Sequence, residues 1–276
     1  MKELVSAKWL NKNLSDPNLI VLDASVTSSS SGEVFKTFKC IIPKARRFDL
    51  KNVFLNLSSC FPNTVPKPEI FEVACRKLGI HKESKIIVYD DHGIFSSPRV
   101  WWLFKIMGHQ KIAVLNGGLP KWISEGFQTE KQHSLNHLNG TFKALYQKNL
   151  VVTFGQIKKN TLKKEFLIVD ARSEGRFNGI ESEPRKYLKS GHIKHSVNIP
   201  YQEVLIGGKY KSKKRLKELF ENKCAGEKEL VFSCGSGLTA CIVMLACVIG
   251  YVETLKVYDG SWTEWADLNN LKNIEP

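Results

Sequence analysis

The chain's most reactive chemistry lies in six residues, Cys234-Gly-Ser-Gly-Leu-Thr239, set between an apolar run at 229–233 and an apolar run at 239–249. The first run is β-rich and the second has helical length, so the six residues form a strand–turn–helix junction. A short glycine-bearing turn of this kind aims backbone N–H groups inward. It also places its first residue near the positive end of a helix. A thiolate gains on both counts, so the Cys234 thiol is expected to titrate well below the free-cysteine value of about 8.5. Gly235 and Gly237 allow close backbone approach, and Ser236 and Thr239 add hydroxyl donors. Such a cradle can hold a thiolate, a persulfide or a bound oxyanion. A buried structural cysteine ending a strand would need neither the two glycines nor the two hydroxyls. A phosphatase is disfavoured by spacing. Cys-x5-Arg places an anion-binding arginine where this chain has Ala240.

The elements that must position this turn recur twice. Runs at 19–23, 85–90, 113–115, 166–170, 229–233 and 255–258 read as strands. Segments at 67–78, 99–107, 213–220 and 239–249 read as helices between them. The opening MKELVSAKWL, with Leu4, Val5, Trp9 and Leu10, reads as one further helix. Alternation of this kind predicts an α/β fold with mostly parallel sheets flanked by helices. VLDAS at 21–25 matches IVDAR at 168–172, KIIVYD at 85–90 matches ELVFSC at 229–234, and NGGLPKW from Asn116 matches DGSWTEW from Asp259. The order is kept and the offset is nearly constant, as a duplicated domain requires. The expected division is a first domain at 1–130, a polar linker at 131–149 and a second domain at 150–276.

These motifs together resemble the tandem-domain rhodanese and sulfurtransferase family over nearly the whole chain. IVDARSEGRF, ESEPR, GHIKHSVNIP and YDGSWTEW are similar to signatures of its C-terminal domain. YDDHGIFSSPRVWWLFKIMGH and VLNGGLPKW are similar to those of its N-terminal one. CGSGLTA is closer to the CGSGVTA loop of the mercaptopyruvate branch than to the CRKGVTA loop of the thiosulfate branch. The resemblance implies two rhodanese-like domains and a catalytic Cys234 that attacks the sulfur of 3-mercaptopyruvate. Pyruvate would leave, and a persulfide would pass its outer sulfur to thioredoxin, a small thiol or cyanide. It implies no metal and no organic cofactor. Arg176 and Arg185 match the family's substrate arginines, Arg176 ahead of Arg185, and suit a donor with a carboxylate beside a keto group. Gly235, Gly237, Leu238 and Thr239 would complete the binding loop. Ser236 would relay a proton to the leaving enolate, and Arg172 would serve structural pairing.

The chain departs from the family pattern in its first half. Asp91-His92-Gly93 follows KIIVYD, so that domain has no matching nucleophile and is expected to be catalytically silent, forming one wall of the cleft. Asp91 and His92, adjacent on a loop, are not expected to face each other. Lys51 and Asn63 fall where the mercaptopyruvate branch carries an acid and a histidine. Cys40 and Ile41 replace a charged residue and a histidine. These losses keep two alternatives open: a thiosulfate sulfurtransferase, and a non-catalytic binding module with the same fold.

Composition narrows the remaining classes. The 276 residues suffice for two domains, and no run approaches the roughly 18 apolar residues a membrane span needs. Seven cysteines without CxxC or metal spacing read as reduced thiols. Cys241 and Cys247, inside the helix after the turn, read as core residues. With no signal-like N-terminus, the expected address is cytoplasmic, a longer mitochondrial form being left open. The formal charge of +14 suits a small anionic donor, but is chiefly a lysine-rich solvated surface. The densest basic run, KYKSKKRLK from Lys209, carries no nucleic-acid motif, so neither nucleic acid nor membrane is an expected partner.

Overall fold

A computed structural model describes residues 1–27, 38–135, 137–227 and 229–273. The first half contains β1 (Leu4–Val5), α1 (Ala7–Asn13), β2 (Leu19–Asp23), β3 (Arg46–Arg47), α2 (Pro68–Lys77), β4 (Lys85–Tyr89), α3 (Ser97–Ile106), β5 (Ile112–Leu115) and α4 (Gly118–Ser124). The second half begins with β6 (Val151–Val152), α5 (Phe154–Lys163), β7 (Leu167–Asp170), α6 (Glu174–Phe177) and β8 (Ser196–Asn198). It continues through β9 (Leu205–Ile206), β10 (Lys209–Tyr210), α7 (Lys213–Cys224), β11 (Leu230–Ser233), α8 (Ala240–Gly250), β12 (Val257–Tyr258) and α9 (Ser261–Leu268).

The two large sheets run β1-β5-β4-β2-β3 and β6-β12-β11-β7-β8, the same order in each half, and every pairing within them is parallel. The duplicated motifs are therefore a duplicated topology. In each sheet the strand order reverses between two central strands, β2 and β4 in the first and β7 and β11 in the second. Loops diverge there at the carboxyl ends of the strands and leave a crevice, the usual ligand site of an open parallel sheet. Register brings Ser233 opposite Asp170, so the turn starting at Cys234 opens at that crevice.

Alternating strand residues separate two sets of packing contacts. Ile20, Leu22, Ile86 and Val88 of the first sheet, with Leu167, Val169, Leu230 and Phe232 of the second, belong to one core shared by both halves. Val21 and Ile87 face a separate core on the other side of the first sheet, and Ile168 and Val231 do the same in the second. Helices α3 and α8 lie in contact within the shared core. This explains why SPRVWWLFKI and ACIVMLACVIG lack a polar stripe: each helix is enclosed by protein all round. Among the described residues no helix is long and apolar enough to cross a membrane.

One expectation changes. Leu4 and Val5 are a strand paired with β5, and the helix begins only at Ala7, capped by Ser6. The segment 131–149, expected as a polar linker, packs against the first half. Phe142 is buried with Phe71 and Phe104, and the backbone N–H groups of Gly140, Leu145 and Gln147 donate to Arg76, Met107 and Ile106. Apolar residues spaced through a polar run gave no period from which to read this packing. Asn136, part of that run, lies outside the described residues.

Candidate active site

Cys234, Gly235, Ser236, Leu238 and Thr239 line a cavity of about 250 Å³ at the crevice of the second sheet, together with Arg176 and Arg185. Phe95, from the first half, closes one side. Gly237 is not among the lining residues. Its φ of +78° turns the loop, and a Cβ there would come within 2.7 Å of the Asp259 carbonyl. The glycine is thus required by a backbone conformation and a close approach at the same position.

The β12–α9 junction holds the nucleophile loop from below. The Cys234 N–H donates to Ser261 Oγ (3.1 Å), and the Cys234 carbonyl accepts from the Trp262 N–H (2.9 Å). Gly235 O accepts from both the N–H (3.0 Å) and the hydroxyl (2.6 Å) of Thr263. The Cys234 amide is therefore committed to the scaffold. The N–H groups of Gly235, Leu238 and Thr239 have no acceptor among the described residues, which leaves them to serve an anion in the cavity. Cys234 itself is only 2% exposed.

Arg172, Arg176 and Arg185 have separate environments. Arg172 is buried and donates to Asp170, Glu183 and the Gly191 carbonyl, with its guanidinium 4.4 Å from the Trp262 ring, so it pairs structurally as expected. Arg176 is held at two points by Glu183, through Nε (3.1 Å) and NH2 (2.6 Å). Its charge is therefore already matched. Arg185 donates to Thr263 Oγ1 (3.2 Å) and has no carboxylate partner among the described residues. By charge, Arg185 is the more available of the two cations. Glu183, 4% exposed, was not singled out from the sequence, because its role depends on two arginines that only the fold brings to it.

The first half reaches into the same site. Arg99, from α3, donates through NH1 to Gly237 O (3.2 Å) and through NH2 to Asp259 Oδ1 (2.7 Å) and Asn63 O (2.5 Å). Burial opposes its charge, but the Asp259 carboxylate together with the Cys241 sulfur outweighs this and raises the guanidinium pKa. Asn63 Nδ2 donates to Ser236 Oγ (3.0 Å), and Lys51 Nζ donates to Asn63 Oδ1 (3.0 Å). Of the two departures read from the sequence, Asn63 therefore meets the loop serine and Lys51 meets Asn63. Lys51 is held in cationic company, and burial, followed by repulsion from Arg185 and Arg99, lowers its pKa.

At the corresponding turn of the first half the strand is followed by Asp90 rather than cysteine. Its Oδ2 accepts from the N–H groups of Phe95 (2.9 Å), Ser96 (3.1 Å) and Ser97 (2.9 Å) and from Ser97 Oγ (2.6 Å). A built-in carboxylate thus fills the anion cradle. Asp91 and His92, expected to point apart, form a pair at 2.7 Å between Oδ1 and Nδ1, because the tight turn around Gly93 brings both side chains to one side. Neither lines the Cys234 cavity.

A parallel α/β sheet present twice, with a cysteine turn at the switch point of the second copy and a carboxylate in the corresponding cradle of the first, defines a tandem-domain α/β protein with one cysteine site. The Rhodanese-like domain family matches residues 6–125 and 153–268, and the chain belongs to it. It is 33% identical over 276 residues to a 3-mercaptopyruvate sulfurtransferase of Escherichia coli strain K12, covering 99% of this chain and 97% of that one. It is 35% identical over 287 residues to the mitochondrial thiosulfate/3-mercaptopyruvate sulfurtransferase 1 of Arabidopsis thaliana, covering 95% and 76% respectively. The crystal structure of SseA from Escherichia coli superposes with a TM-score of 0.84 at 31% identity, covering 95% and 99%. The chain is an enzyme of the sulfurtransferase class.

Proposed function

We propose that the protein moves sulfane sulfur from 3-mercaptopyruvate, through a persulfide on Cys234, to a thiol or cyanide, releasing pyruvate. The reading is carried by the location of Cys234 in a small cavity with Arg185 left unneutralised beside it. A three-carbon keto acid fits that volume, and its carboxylate suits a guanidinium fork. The Cys234 thiolate forms an S–S bond to the donor sulfur as the C–S bond breaks. The electron pair leaves on carbon as pyruvate enolate, which takes a proton from solvent. In the second half-reaction thioredoxin, a small thiol or cyanide takes the outer sulfur and frees the thiolate. The loop N–H groups of Gly235, Leu238 and Thr239 suit the anionic sulfur in the way an oxyanion hole suits oxygen.

Asp90 in the first cradle supports a division of labour, with residues 1–130 catalytically silent and residues 150–276 holding the nucleophile. Free thiols at the described cysteines support a reducing, cytoplasmic address.

Thiosulfate is the second reading. Lys51 and Arg185, close enough to repel each other, supply the positive potential that a dianion would use. Steady-state kcat/KM on the two donors separates the readings, and a clear preference for thiosulfate would overturn the first. Arg185→Met is expected to raise KM for 3-mercaptopyruvate by about 10- to 100-fold, the loss of one charge-assisted hydrogen bond. An unchanged KM would remove Arg185 from the donor site.

A further inference from the structure

The cavity around Cys234 is lined by Arg172, Arg176 and Arg185, and by no carboxylate among the described residues. By its wall alone it would suit a multiply charged anion. Two acids behind the wall change that balance. Asp170 grips Arg172 through Nε (3.1 Å) and NH2 (2.6 Å), so that charge is already answered. Glu183 also accepts from Arg172 NH1 at 2.7 Å, but its other contacts are to Arg176. Its Oε1 accepts from Arg176 Nε (3.1 Å) and its Oε2 from Arg176 NH2 (2.6 Å), a two-point grip on the guanidinium. Asp170 is 2% exposed and Glu183 4%, so water screens neither pair well. The Arg185 guanidinium is left with no carboxylate partner among the described residues.

We propose that Glu183 is a specificity-determining residue: by neutralising Arg176 it leaves one open cation in the cavity wall, and so favours a singly charged sulfur donor over a dianion. This rests on the sulfurtransferase reading and concerns which donor the reaction accepts. Arg176 remains at the site as a hydrogen-bond donor rather than as a charge. A Cβ on Gly235 would come within 2.9 Å of Arg176 NH2, so the guanidinium lies against the nucleophile loop. Its NH1 has no acceptor among the described residues and is left for an oxygen of the donor. Glu183 and Arg185 flank Pro184, so one short segment supplies both the open cation and the anion that masks its neighbour.

The donors differ by one charge. 3-Mercaptopyruvate carries its carboxylate charge at neutral pH with a largely neutral thiol, whereas thiosulfate is a dianion. With either donor the Cys234 thiolate forms an S–S bond to the transferred sulfur. The C–S bond of 3-mercaptopyruvate breaks and its electron pair leaves on the enolate of pyruvate; the S–S bond of thiosulfate breaks and its pair leaves on sulfite. The first reaction therefore gathers two negative charges in the cavity and the second gathers three. One positive charge more or less beside them shifts the two rates unequally, by about tenfold at a well-screened separation of about 6 Å. Any effect on the nucleophile itself is common to both donors and cancels in their ratio.

The test is the rate of persulfide formation on Cys234 by each donor, read by mass at timed points. It compares wild type with Glu183→Gln, Arg176→Met and the Glu183→Gln/Arg176→Met double variant. Glu183→Gln keeps the size of the side chain and removes its charge, and is expected to raise the thiosulfate-to-3-mercaptopyruvate rate ratio about tenfold. Arg176→Met leaves Glu183 paired with Arg172 and should lower the ratio by about the same factor. The double variant restores the wild-type charge, so its ratio should return to within about threefold of wild type while both rates fall. A purely structural role would slow both donors and leave the ratio where it was. An unchanged ratio in Glu183→Gln, or a raised one that persists in the double variant, would overturn the proposal. So would thiosulfate that stays inert in Glu183→Gln while 3-mercaptopyruvate still forms the persulfide. Wild-type Cys234 that takes sulfur from neither donor would sink the sulfurtransferase reading itself.

Discussion

Cys234→Ser is expected to reduce sulfur transfer by at least about a thousandfold while the protein remains folded. The magnitude follows from covalent catalysis: removing the nucleophile removes both half-reactions, and a serine hydroxyl has no accessible anion at neutral pH with which to attack sulfur. Stability should change by no more than about 1 kcal/mol, because the replacement is nearly isosteric and the hydrogen bonds at this position use its backbone N–H and carbonyl. The other buried thiols do not offer a substitute. Burial pushes Cys241 and Cys247 each up to about 12 and Cys224 up to about 11, and Cys75 is raised as well. Cys241 also gives its S–H to the Gly237 carbonyl at 3.4 Å. Cys241→Ala should therefore keep most of the turnover that Cys234→Ser loses. Kinetics with 3-mercaptopyruvate and peptide-level mass measurement of the added sulfur check both outcomes. Sulfur carried mainly on another cysteine would refute the assignment.

The sequence revealed those parts of the protein that depend on neighbours in the chain. Strand alternation in VLDAS and IVDAR, uninterrupted apolarity in ACIVMLACVIG and two glycines after ELVFSC are local signals, and each corresponds to an element the structure contains. Family motifs located Arg176 and Arg185, but could not tell which was already neutralised, since Glu183 acts on Arg172 and Arg176 only after folding. The hydroxyls of Ser261 and Thr263 hold the loop from 27 and 28 residues away, a separation at which spacing carries no information. Asp90 was read as the end of a strand, although its carboxylate fills the first cradle. Lys51 and Asn63 were visible as anomalies. Lys51 bonds to Asn63 and Asn63 to Ser236, contacts across the two halves that spacing could not show.

Arg99→Met is expected to be the most destabilising single change among these residues, at about 3–5 kcal/mol, because it leaves the Asp259 carboxylate buried without its cation. Arg99 sits in an otherwise apolar helix, with side-chain exposures of 1% for it and 8% for Asp259 at 2.7 Å. Its guanidinium also lies 4.6 Å from the Trp102 ring and reaches carbonyls of Asn63 and Gly237, joining one half of the molecule to the nucleophile loop of the other. Stability and catalysis should therefore fall together but recover separately. Asp259→Leu added to Arg99→Met removes the stranded charge and should restore part of the stability, as apolar replacements of buried pairs often do. Recovery stays incomplete because Asp259 Oδ2 also accepts the Val65 N–H at 2.7 Å. Turnover should not return, since Gly237 and Asn63 still lack their anchor. Denaturant midpoints and kcat for the single and double variants measure the two effects independently. If the double variant regained both, Arg99 would be a stabilising charge with no hold on the loop.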